Sequence, residues 1–398
     1  MKIVRTKEGI SYFWPFVLVT SLFFLWGFAH SILDVLNKHF QEVLVISKAK
    51  SALIQAVVYG GYFLMALPAG YIIKRYGYRK GVVLGLLLYA IGAFLFIPGS
   101  RLMSFEFFLF SLFIIGCGLT CLETAANPYI TVLGDLKYGA SRLNLAQSFN
   151  GLGWILGPLV GGMALFSTNA DVSIPYIIIG SVVLLVAFFF MRIRLPEIKE
   201  EEPSADAAVL NKGLWQHAHF LWGVIALFCY VAAQTGINSF FINYVTESDL
   251  QVNNATAALL LSFGGMGLFM LGRFLGSWLM NLVRAEKLLF YFAVGASVCM
   301  VIVIGNWGWL SVGGLFICYL FESIMFPTLF ALSIVRLGHH TKRASSFLIM
   351  AIVGGAVAPV LMGLIGENNM AIGFIVPLIC FLVIGIYAMA YKRMTRFS

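Results

Sequence analysis

Apolar residues along this chain gather into runs of about twenty, separated by short polar breaks, and nowhere keep the period-two alternation of a half-buried strand. Runs of that length match a bilayer core roughly 30 Å thick. They predict twelve membrane helices, near residues 12–36, 52–73, 82–98, 105–133, 144–166, 174–193, 219–245, 256–280, 287–304, 309–335, 345–365 and 371–391. Lipid offers no partner to an unpaired backbone N–H or C=O, so such spans are helical. The expected fold class is an all-α membrane protein with twelve transmembrane helices.

The polar exceptions inside those runs carry the chemistry. Of 17 acidic residues, only Asp34, Glu123 and Glu322 lie well inside predicted spans. A carboxylate at the centre of a membrane helix costs about 2.5–3.5 kcal/mol on insertion scales, so it is kept for substrate, ion or proton handling unless it is paired. Arg273 is the single basic residue deep in a span and cannot neutralise three acids. Glu123 sits in Cys121-Leu-Glu-Thr-Ala-Ala-Asn-Pro-Tyr129, and Glu322-Ser-Ile-Met-Phe-Pro327 repeats the Glu-x-x-x-x-Pro spacing 199 residues downstream. Gly157-Pro158 is echoed 201 residues on by Ala358-Pro359. The chain therefore reads as two related halves, each bringing a polar, proline-broken helix to mid-membrane. An amino-terminal six-helix bundle is expected over 1–195, a charged cytoplasmic linker over 196–217 and a carboxy-terminal six-helix bundle over 218–398. The repeat puts Glu123 and Glu322 at equivalent depths, on the two walls of one cavity.

Composition excludes the soluble classes, since 61% of residues are hydrophobic and 11% charged, against roughly half and a quarter in soluble domains. The net charge of +9 would suit nucleic acid if it were gathered on one face. Instead 21 of the 26 Lys and Arg fall at the termini, in the linker and in alternate loops, leaving Lys38, Lys48, Lys50 and Arg101 opposite. By the positive-inside rule both termini face the cytoplasm of a multi-pass inner-membrane protein, whose partner is the bilayer rather than nucleic acid. The basic start Met1 to Lys7 precedes a run too long for a cleaved signal peptide. All six cysteines fall in apolar spans as packing residues. Cys117 and Cys121 share a helix face without a His, so no metal site is expected. No nucleophile–base set or phosphate loop appears, which argues against an enzyme, and no cofactor is expected beyond a coupling proton.

Helical spacing sorts the remaining polar residues into faces. Glu123 and Asn127 are four apart, Gln147 and Asn150 three apart, and Tyr230, Gln234 and Asn238 repeat the spacing later. Trp26, His30 and Asp34 follow one another at four-residue steps on the first helix, and Gln234 falls near the repeat counterpart of Asp34. Carboxylates and amides supply the hydrogen bonds a neutral sugar needs. A carboxyl group sheltered from water also takes up a proton more readily and returns it when water arrives, as a proton-coupled carrier requires. Amides in membrane helices serve equally as interhelical glue, a competing role for Gln147, Asn150 and Asn238. His30 is either a tuner of the proton or a satisfied core histidine, and Trp26 is first a packing residue.

The motifs Phe24-Leu-Trp-Gly27 with Asp34, Cys121 to Pro128 followed by Thr131-Val-Leu-Gly134, Arg142-Leu-Asn-Leu-Ala-Gln147 with Phe149-Asn150, and Gly272-Arg-Phe274 make this chain resemble the major facilitator superfamily. Within it the chain is similar to the fucose–galactose–glucose:proton symporters. The resemblance implies the major facilitator fold, two pseudo-symmetric six-helix bundles, and a monomeric symporter that imports a neutral monosaccharide by alternating access. It implies Asp34 as the proton-coupling acid and Glu123 as a sugar-binding acid. Helical spacing and the repeat add Asn127, Gln147, Asn150, Gln234, Asn238 and Glu322 as further candidates for substrate and His30 as a modulator. His30 and Glu322 depart from the fucose transporters of that family, so the sugar itself is open. The competing reading is a proton-coupled drug antiporter, because Gly153-Trp-Ile-Leu-Gly-Pro-Leu-Val-Gly-Gly162 fits the glycine-rich fifth-helix pattern of exporters.

Overall fold

A computed structural model of the chain describes residues 12–133, 139–166, 172–192, 213–248, 250–280, 282–335, 337 and 341–396. Among them twelve helices are long and apolar enough to cross a membrane. They are α1 Phe13–Val43, α2 Lys48–Ile73, α3 Tyr78–Leu102, α4 Phe105–Asn127, α5 Leu145–Leu165, α6 Ser173–Arg192, α7 Ala218–Glu247, α8 Asn254–Gly276, α9 Ala285–Ile304, α10 Trp309–Ile334, α11 Phe347–Ile365 and α12 Met370–Thr395. The chain divides into two compact units, Met1–His39 with Val57–Glu200 and Phe40–Ala56 with Glu201–Ser398. Of the expected linker, residues 196–212 lie outside the described residues, and Leu214–Gln216 form a single 3-10 turn leading into α7.

In the first unit α3 packs along α4 and α6. The Arg79 guanidinium, in the first turn of α3, donates to the carbonyl of Phe190 at 3.0 Å and to that of Met191, satisfying carbonyls in the last turn of α6 where a cation is favoured. The glycines of α5 face α1. A Cβ at Gly153 would strike the α1 backbone at Phe24 and Phe28, and one at Gly157 would collide with Ser31 Oγ. Ser31 Oγ in turn donates to the Gly153 carbonyl at 3.1 Å. The exporter-like glycine pattern therefore serves close helix packing, and its weight for a drug antiporter falls away.

Two expectations about helix shape fail for physical reasons. The first helix was expected to end near 36, yet it runs to Val43, because Asn37 and His39 are buried against protein rather than facing lipid or water. Hydropathy alone reads such residues as loop. Both halves were also expected to carry a proline-broken helix. The helix containing Glu123 runs unbroken from Phe105 to Val132 through Pro128, whereas the one containing Glu322 stops at that residue and restarts at Met325. Ser323 Oγ donates to the Leu320 carbonyl at 2.7 Å, offering the chain a local alternative to the helical ladder just where Pro327 lacks an N–H.

The second unit is built on α7, which packs on α10, α11 and α12, with α9 along α10 and α12. In α8, residues Leu260–Met266 form a π-helical segment whose Gly264 and Gly265 abut Phe316 and Tyr319 of α10. At the rim of this unit α2 starts at Ser47, whose Oγ accepts from Lys50 N at 3.1 Å as an N-cap.

Candidate functional site

The described polar residues of the first unit converge between α1, α2, α4 and α5. The four-residue spacing on α1 aims Trp26 and His30 at the same side, and both meet the aromatic face of α2. His30 Nε2 lies 3.0 Å from the Tyr62 hydroxyl, and its ring is 5.6 Å from Tyr59 and stacks on Trp154 of α5 at 6.1 Å and 16°. Trp26 meets His30 edge-on at 6.2 Å. From α4, Glu123 hydrogen-bonds with Tyr62. Its second oxygen, Oε2, is buried and has no hydrogen-bond partner within the protein, and the same is true of Asn127 Oδ1, while the Trp26 indole N–H is directed at Tyr62. Leu22, Phe23, Trp26, Leu122, Glu123, Ala126 and Asn127 enclose a void of about 10 Å³, room for one water at most. Two unpartnered acceptors thus stand at a small pocket walled by Phe23 and Trp26. That is the chemistry of a ligand that presents hydroxyls on one edge and C–H on its face.

The other sequence candidates separate into distinct roles. Asp34 is 2% exposed, one turn beyond His30 on α1. Asn150 is buried and donates from Nδ2 to the Phe23 carbonyl at 3.1 Å, so its amide ties α5 to α1. Gln147, one turn earlier, is half-buried.

In the second unit Tyr230 and Asn238 are buried and Gln234 is half-buried on α7, and Asn238 Oδ1 has no hydrogen-bond partner within the protein. Arg273 of α8 stands in electrostatic contact with Tyr230, over the Phe269 ring at 4.8 Å, with its Nε unpartnered. Glu322 is fully buried. Its Oε1 accepts from Cys318 Sγ at 3.6 Å, one turn back on the same helix, while Oε2 is buried with no hydrogen-bond partner within the protein. One oxygen of Glu322 therefore turns along its own helix, a direction the repeat did not disclose.

Tyr59, Tyr62 and Trp154 escaped sequence reasoning. The one available signal was the spacing of Trp154 from Asn150, four residues, which places it on the face of α5 that meets α1.

Residues 16–359 match the sequence profile of the Major Facilitator Superfamily. The chain belongs to that family. Members of the Major Facilitator Superfamily similar to it include the L-fucose-proton symporter of Escherichia coli (strain K12), 38% identical over 96% of this chain and 94% of the relative. A glucose/galactose transporter of Brucella abortus is 34% identical over 97% and 96%. The solved structure of the transporter FucP in the outward conformation superposes with a TM-score of 0.71 at 37% identity, covering 96% of this chain and 99% of that one. A D-xylose-proton symporter, at 13% identity and a TM-score of 0.75, shares the fold alone. The all-helical, twelve-span architecture is thus that of the Major Facilitator Superfamily.

Proposed function

We propose that this protein is a proton-coupled sugar symporter that imports a neutral monosaccharide of the fucose, galactose or glucose type by alternating access. The observation carrying this reading is the first-unit pocket, in which Glu123 Oε2 and Asn127 Oδ1 stand unpartnered beside the rings of Phe23 and Trp26. Each such buried group costs about 1–3 kcal/mol while it lacks a hydrogen bond, and a sugar's hydroxyls recover that cost. Because the pocket holds no more than a water, α1 and α4 must part to admit a hexose. Gln147 on α5, and Gln234 and Asn238 on α7 of the second unit, are the further groups proposed to meet the sugar.

Asp34 is the proton-coupling acid, lying one helical turn from His30 and sheltered from water. A proton descending 100 mV yields about 2.3 kcal/mol, enough for a sugar gradient of roughly 50-fold. The protein works as a monomer with both termini and the 196–217 linker in the cytoplasm, which the excess of Lys and Arg in those segments supports.

Uptake of labelled D-glucose, D-galactose and L-fucose into proteoliposomes, with and without an imposed proton gradient, tests the reading. Gradient-driven accumulation is expected, and Asp34→Asn is expected to abolish accumulation while sugar exchange continues. Undiminished accumulation in Asp34→Asn removes Asp34 from coupling. Resistance to lipophilic cations without sugar uptake favours a drug antiporter instead.

A further inference from the structure

We infer that Tyr62 is the positioning residue of the sugar site: its hydroxyl, held from behind by His30, ties down one oxygen of Glu123 and leaves the other to the ligand. The inference rests on the reading of Glu123 as a sugar-binding acid. The Tyr62 hydroxyl has three polar neighbours, His30 Nε2 at 3.0 Å, the Trp26 indole N–H and the Glu123 carboxyl. The indole N–H only donates, so the Tyr62 oxygen accepts from Trp26. The same hydroxyl joins the His30 imidazole to the Glu123 carboxyl. These side chains form one chain, from imidazole through phenol to carboxyl.

Its far end is fixed by packing. His30 is 6% exposed and lies among the rings of Trp26, Tyr59, Tyr62 and Trp154, so the imidazole cannot swing away without opening that cluster. A carboxylate on a flexible side chain would otherwise sample several rotamers in the pocket. Anchored at one oxygen, Glu123 offers Oε2 in a single place. One ligand hydroxyl suits Oε2, and a second, donating hydroxyl suits Asn127 Oδ1. The site therefore selects a polyol with two neighbouring hydroxyls on one edge, as a pyranose has.

Calorimetric titration of D-glucose, D-galactose and L-fucose, run to molar sugar so that weakened variants stay on scale, tests this on the purified full-length protein. Tyr62→Phe keeps the ring and its 6.0 Å contact with Tyr59 and removes only the hydroxyl. It is expected to weaken binding of the preferred sugar about three- to tenfold, the loss of one hydrogen bond. Added to Glu123→Ala, it is expected to cause no further loss, because Tyr62 acts through that carboxylate. His30→Phe removes the same chain from behind and is expected to show the same coupling, which carries the test if Tyr62→Phe does not fold. Wild-type affinity in these variants, or a loss that persists in full in the Glu123→Ala background, overturns the positioning role and leaves Glu123 in place. Wild-type affinity in Glu123→Ala itself overturns the reading beneath it.

Discussion

Lys48 is one of the four basic residues on the side of the membrane that the charge bias leaves poor in them, and the structure shows what holds it there. Its ammonium donates to Glu247 Oε2 at 2.7 Å, to the Gly366 carbonyl at 2.9 Å and to the Glu367 carbonyl at 3.0 Å, capping the carboxyl end of α11. Glu367 answers by accepting from the Lys48 and Ala49 backbone N–H groups at 3.3 and 3.4 Å, at the amino end of α2. Each helix end thus neutralises the other's orphan groups. Gln41 and Asn243 exchange hydrogen bonds at 2.6 and 3.3 Å, and Asn243 Nδ2 also reaches Glu247 at 3.1 Å. Breaking a buried ion pair costs about 3–5 kcal/mol. The side chains of Lys48 and Glu247 are 11% and 33% exposed, so water at the rim screens part of that. A loss of about 2–3 kcal/mol is expected for Lys48→Met, shifting the docked-to-undocked ratio of Phe40–Ala56 by roughly 30- to 150-fold. Ser51 is fully buried in this segment and reports its docking. In a background without the native cysteines, the rate at which an impermeant maleimide labels Ser51→Cys should rise at least tenfold with Lys48→Met. Glu247→Gln added to Lys48→Met should raise it little further. An unchanged labelling rate in Lys48→Met would show that the reciprocal caps do not hold this segment.

Three further outcomes follow from where side chains point. Gly157→Val should lower the thermal unfolding temperature sharply, since overpacking costs about 1–3 kcal/mol, and Ser31→Gly should restore part of the loss because Ser31 Oγ is what a Cβ there meets. Asn150→Ala should destabilise the protein by about 1 kcal/mol through its lost bond to the Phe23 carbonyl, an effect read in unfolding as well as in sugar affinity. Glu322→Gln keeps an oxygen to accept from Cys318 and should leave calorimetric sugar affinity within roughly twofold; a tenfold change would show that the other, unpartnered oxygen meets the sugar.

Membrane span count and the Glu123–Asn127 face were legible because both rest on strong local signals: twenty-residue apolar runs and a carboxylate inside one of them. The aromatic partners were not. In a chain with 36 Phe, 16 Tyr and 8 Trp, no spacing rule marks Tyr59, Tyr62 and Trp154 as the ones that meet His30. The end of α1 was hidden for the opposite reason. Asn37 and His39 look like loop until the burial that tolerates them is known. The internal repeat located Glu322 along the chain but not around its helix, and the break after Glu322, absent after Glu123, shows that equal sequence spacing does not fix equal backbone geometry.

The buried amides and acids divide by how far their hydrogen bonds are already taken. Asn150 gives its amide N–H to the α1 backbone and so has work within the fold. Glu322 accepts from Cys318 at Oε1 and keeps an unpartnered Oε2. Around Glu123 the protein satisfies one carboxyl oxygen through Tyr62 and leaves the other, together with Asn127 Oδ1 one turn along the same helix, without a protein partner. At about 1–3 kcal/mol for each such group, packing alone does not favour two of them on one helix face. Apolar residues of similar size would make a more stable bundle there. What the two share is that a ligand bearing hydroxyls can satisfy both, and α1, which supplies the Trp26 wall of the pocket, also carries His30 and Asp34. Movement of α1 that opens the pocket therefore also moves the acid proposed to carry the proton, so sugar and proton meet one mobile element.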